Sequence, residues 1–153
     1  MSNVINITER LQEKRIQEHL QQLNEQEQEW MRTLGYYVHF VFPTESDDWP
    51  DGFIDMHTHG LDMMADHPNF QIVLAVNQNT LKGIIDDLVQ RVFAGERFTP
   101  GRYDNVIKNL DVELVEAVDD DGESLLRVIL PDPEGNLSKD DIQEPYRVQY
   151  HGI

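Results

Sequence analysis

Cysteine is absent from this 153-residue chain. Its absence excludes disulfides, thiolate metal sites and a thiol nucleophile, and it agrees with a reducing compartment. Long apolar runs are missing as well: no stretch approaches the ~20 apolar residues that span a bilayer. The opening Met1-Ser2-Asn3-Val4 is polar and lacks a basic-then-apolar leader pattern, so the cytosol is the expected compartment. Positive charge is scarce, with 12 Lys and Arg against 29 Asp and Glu, a formal net charge of −17. The few bases are dispersed and leave no track for nucleic acid, and the field repels anionic lipid. No serine stands in a G-x-S-x-G elbow, and there is no glycine-rich phosphate loop.

What remains is the composition of an ordinary globular domain, 39% apolar and 27% charged. The length suits one domain whose core needs no covalent staples. Residues 1–35 hold six acids and four bases, so nearly all of the negative field belongs to residues 36–153. Such a surface favours a basic protein partner.

Periodicity outlines the elements. Ile16, Leu20, Leu23, Trp30 and Leu34 lie on one narrow seam, which predicts a long helix from about Thr8 to Leu34, with Asn6 as its cap and Gly35 as its stop. Glu27 interrupts the seam, so the helix is expected to pack on the domain or to mediate a homodimer. Tyr36–Phe42, Phe53–Thr58 and Gln71–Val76 read as strands. Leu81, Ile84, Ile85, Leu88, Val89, Val92 and Phe93 mark an amphipathic helix capped by Asn79 or Thr80 and ended by Gly95. A short helical piece is expected from Asp104 to Leu110, then strands Asp111–Val118 and Ser124–Leu130 joined by the acidic hairpin link Asp119–Glu123, and a late edge strand at Tyr146–Tyr150. The expected fold class is α+β: a mostly antiparallel sheet of five to six strands over residues 36–153, packed by the N-terminal helix of residues 1–35 and by the amphipathic helix.

One segment carries chemistry. Alternation along Asp55-Met56-His57-Thr58-His59 puts Asp55, His57 and His59 on one strand face, where two imidazoles can converge on one ion. Asp62 and His67 follow closely enough to complete a ligand shell. The expected metal ligands are therefore His57, His59 and His67, joined by Asp55 or Asp62. His39 faces the same cluster if the first two strands pair. The string resembles the Asp-x-His-x-His that ends the first barrel strand of metal-dependent amidohydrolases. That resemblance, from Asp55 to Gly60, covers six residues, and such a barrel needs about 250.

A broader resemblance runs from Gly35 to about Leu137. Gly35-Tyr36-Tyr37-Val38, Thr58-His59-Gly60-Leu61, His67-Pro68-Asn69-Phe70, Gly95-Glu96-Arg97-Phe98-Thr99-Pro100-Gly101 and Leu130-Pro131-Asp132-Pro133-Glu134-Gly135 follow in order. This pattern resembles a bacterial family of domains of unknown function. The resemblance implies no agreed activity. It also implies that His57 and His59 mark a subgroup, whereas His67-Pro68 belongs to the shared pattern, with the histidine bracing a turn.

Two functional expectations follow. The leading one is an acidic domain that acts by protein binding or regulation, meeting a basic protein and needing no cofactor. The alternative is a small metal-binding protein or metal-dependent hydrolase, with Zn²⁺ or another divalent ion held by the His57-x-His59 pair.

Overall fold

Asn24 decides the course of the N-terminal region. The computed structural model describes residues 7–45, 47–119 and 121–153, and the cap expected at Asn6 lies outside them. The single helix expected over Thr8–Leu34 is two helices, α1 (Ile7–Gln21) and α2 (Glu25–Leu34). Asn24 Oδ1 accepts from the Glu27 N–H at 2.8 Å, and Glu27 Oε1 accepts from the Asn24 N–H at 3.3 Å. This reciprocal capping box satisfies orphan donors at a helix start, so the chain begins a second helix there. Gly35, at φ 80°, closes α2 in the left-handed conformation that glycine tolerates best.

Six strands follow: β1 (Tyr37–Val41), β2 (Phe53–His59), β3 (Asn69–Leu74), β4 (Gly101–Ile107), β5 (Leu110–Val118) and β6 (Ser124–Ile129). A short helix α3 (Leu61–Met64) follows β2, and the long helix α4 (Gln78–Phe93) separates β3 from β4. The sheet order is β1-β2-β3-β6-β5-β4, with every neighbouring pair antiparallel except β3 and β6. The α+β class is thus as expected, and three local expectations are corrected. The piece expected as helix from Asp104 is β4 and its turn: Ile107 pairs with Leu110, leaving Lys108-Asn109 as a two-residue hairpin loop with Asn109 at φ 67°. The expected edge strand at Tyr146–Tyr150 is a 3₁₀ helix. Helix α4 is capped by Asn77, whose side chain accepts from the Thr80 N–H, rather than by Asn79 or Thr80 as expected.

The sheet's two faces differ in kind. On one, α4 lays Leu81, Ile85, Leu88, Val89 and Val92 against Met56, Phe70, Ile72, Leu126 and Val128. Complete burial of side chains such as Phe70, Met56 and Ile85 contributes roughly 1.5–3 kcal/mol each. The other face carries two smaller apolar clusters. Tyr37, Met31 and Met63 gather Ile16 and Leu20 of α1 and Leu23 of the turn after it at one end, and Ile129, Leu137, Ile142 and Tyr150 seat the C-terminal segment at the other. Polar side chains occupy the ground between them. Among the described residues no helix is long and apolar enough to cross a membrane.

Candidate metal centre

Strand pairing assembles this polar ground as a row. His39 of β1 is opposite His57 of β2, His57 is opposite Gln71 of β3, and Gln71 is opposite Arg127 of β6. Because side chains alternate, Asp55 and His59 share the His57 face of β2. One ligand atom from each of His39, His57 and His59 lies within 4.8 Å of the others, so this group can hold a metal ion. His57 Nε2 and His59 Nε2 are 2.9 Å apart. Two imidazole nitrogens on a tetrahedral zinc with bonds of ~2.0–2.1 Å stand about 3.3 Å apart. The pair therefore has to open by only a few tenths of an ångström, and His39 has to close in.

Burial divides the work among the three. His57 is buried, His59 half-buried and His39 exposed. The His59 ring stacks on Tyr37 with centroids 4.9 Å apart. Tyr37 is itself buried; that burial first, and the negative charge of Glu27 second, push its hydroxyl up to about 12, so it stays a neutral platform. His39 is the exposed member, on the rim of the group.

Behind His57 the row becomes a buried hydrogen-bonded chain. Its Nδ1 lies 2.8 Å from Asp55 Oδ1, and Gln71 Nε2 donates to the same oxygen at 2.9 Å. Arg127 Nε donates to Gln71 Oε1 at 2.8 Å, and its Nη1 donates to the carbonyls of Gln149 and His151. Burial works against ionisation of Asp55. The bonds from His57 and Gln71, with the charge of Arg127, outweigh it and hold the carboxyl below its ordinary range. Burial also pulls the Arg127 guanidinium down to about 10, against the attraction of Asp55.

The structure sorts the residues expected as ligands. His57 and His59 converge, and His39 joins them once β1 and β2 pair. His67 does not: its Nδ1 bonds the Pro68 carbonyl at 2.8 Å and its Nε2 accepts from the Phe98 N–H at 2.9 Å. Both ring nitrogens are spent on bracing the turn before β3 against the segment after α4, so its ligand role is corrected. Asp55 stands behind His57, on Nδ1, rather than beside the facing Nε2 atoms of His57 and His59. Asp62 accepts from Asn69 Nδ2 at 3.2 Å, at the mouth of a neighbouring cleft. In the acidic link, Asp119 Oδ1 accepts from the N–H groups of Asp121 and Glu123, the hairpin tip expected there. Sequence reasoning missed Gln71 and Arg127. Neither has a local signal, since β3 and β6 are 56 residues apart where they meet.

A cleft of about 470 Å³ opens beside His59, between α1, the start of α3 and the β5–β6 link. Glu18, Asp62, Asp119, Asp121 and Glu123 line it, with Arg15 the single Lys or Arg there among the described residues. Comparison with protein-family models, curated proteins and solved structures finds no match to this chain.

Proposed function

We propose that this chain binds a divalent transition metal, zinc in the first instance, through His39, His57 and His59. One observation carries the reading: three histidines from two paired strands place a nitrogen each within 4.8 Å of one another, one of them buried, one half-buried and one exposed. An all-imidazole donor set suits zinc, copper, nickel or iron rather than magnesium or calcium. Three protein ligands leave a position for water or substrate, the pattern of zinc sites that act chemically rather than only brace a fold. Hydrolysis is the reaction class such a site supports, by lowering the pKa of metal-bound water. The test is elemental analysis and titration calorimetry on protein purified without a histidine tag, beside the His57→Ala, His59→Ala double variant. One zinc per parent chain, lost in the variant, supports the reading. No stoichiometric zinc in the parent overturns it.

A second reading is protein binding through the acidic surface. Its support is the net charge of −17 and the acidic lining of the cleft. A basic partner would then bind more weakly as salt rises. Binding insensitive to ionic strength would speak against it.

A further inference from the structure

Buried arginine needs explaining wherever it occurs, because taking a guanidinium out of water is costly unless its donors are satisfied. Arg127 is only 4% exposed. Its side-chain hydrogen bonds run to three neutral oxygens, those of Gln71, Gln149 and His151. The carboxylate that complements its charge, Asp55, lies one residue further along the row. We infer that Arg127 and Gln71 are positioning residues of the histidine site, fixing the donor polarity of a chain that runs to Nε2 of His57, the nitrogen facing His59. This inference rests on the metal reading for its consequence, but not for its geometry.

Donor and acceptor inventory alone fixes the direction of each bond. A guanidinium donates and never accepts. The Gln71 amide must therefore turn its oxygen to Arg127 and its nitrogen to Asp55. Asp55 Oδ1 then accepts from Gln71 and, being a carboxylate oxygen, accepts from His57 Nδ1 as well. That places the proton of the neutral imidazole on Nδ1 and leaves Nε2 with its lone pair, 2.9 Å from His59 Nε2 and inside the three-histidine group. Every link is between 2.8 and 2.9 Å. The arrangement supplies what a metal-ligating histidine needs behind it: a fixed tautomer and a fixed ring. Arg127 also donates to two carbonyls of the C-terminal segment, so seating that segment and setting the histidine depend on the same side chain.

The test reads the tautomer directly. Two-bond ¹H–¹⁵N spectra of histidine-labelled, metal-free protein distinguish protonated from unprotonated ring nitrogens. The expected result is His57 protonated at Nδ1 alone, becoming an average of both tautomers in Gln71→Met, where Asp55 loses its second donor and can rotate away. Arg127→Lys, which keeps a donor-only cation, should retain the parent spectrum. Chelator competition should show zinc affinity reduced roughly 10–100-fold in Gln71→Met and little changed in Arg127→Lys. A parent protein with His57 protonated at Nε2 overturns the inference without any variant having to fold. So does a folded Gln71→Met with parent tautomer and parent affinity. If the parent binds no zinc, the metal reading fails, and the tautomer spectra still decide the polarity of the chain.

Discussion

His39 on β1 stands directly opposite His57 on β2 in the antiparallel register, their ring centroids 5.3 Å apart. This cross-strand pair turns two histidines of one strand into a three-histidine group. It also separates binding from stability, because His39 is exposed and His57 is buried. His39→Ala should change the folding free energy by less than about 0.5 kcal/mol, as a surface substitution does. Its zinc affinity should fall by more than the ~10–100-fold typical of residues behind a ligand. Denaturation and calorimetry on the same preparation check both halves.

Gly60 packs the end of β2 against α2 and its C-terminal cap. It sits at φ 112°, and a Cβ there would lie 2.7 Å from the Gly35 carbonyl oxygen and 3.0 Å from Met31 Sδ. Gly60→Ala therefore meets both a backbone clash and a conformation that side chains avoid. A loss of roughly 2–4 kcal/mol in urea denaturation is expected.

Thr58, on the opposite face of β2 from the histidines, is buried and bonded on both sides. Its hydroxyl donates to Asn69 Oδ1 at 2.9 Å and accepts from the Phe70 N–H at 3.0 Å. Thr58→Val keeps the shape and leaves that N–H without its acceptor. A destabilisation of about 1–3 kcal/mol is expected, with the start of β3 gaining amide exchange.

His67 gives the fold a pH dependence of known sign. Burial first, with the nearby charge of Arg97, holds its pKa below the ordinary histidine value, against the pull of the Pro68 carbonyl. Protonation would also place a hydrogen on the nitrogen that accepts from Phe98. The unfolded chain thus binds this proton more readily than the folded one. The His67 contribution is complete above pH ~6.5 and declines as pH falls below that value, with a slope of at most about 1.4 kcal/mol per pH unit for one proton. Stability measured from pH 7.5 to 5 should show a component of this sign in the parent that is missing in His67→Gln. An equal slope in both proteins contradicts the assignment.

The strong local signals were legible before the structure. Strict alternation placed Asp55, His57 and His59 on one face, the apolar spacing from Leu81 to Phe93 gave α4, and Gly35 gave the end of α2. Elements failed where a weak local cue met a stronger one. Asn24 inside an apolar seam reads as an ordinary helical polar residue until its box with Glu27 forms, and Asp104 looks like a helix cap until Asn109 turns the chain into a hairpin. The site was legible only as far as one strand carries it. Gln71 and Arg127 reach His57 through pairing between distant strands. The irregular register between Phe53 and Met56, where β2 carries one residue more than β3 beside Asp55, has no signature in the residues themselves. His67 was expected as a ligand because it is close in sequence, yet the fold spends both of its nitrogens elsewhere.

The most direct measurement is X-ray absorption fine structure at the zinc edge, on zinc-loaded protein freed of excess metal by desalting. Three imidazole nitrogens and one further light atom are expected at about 2.0–2.1 Å, with imidazole scattering reduced in His39→Ala. Zinc lost on desalting, or zinc held through carboxylate oxygens with no imidazole scattering, would contradict the three-histidine site.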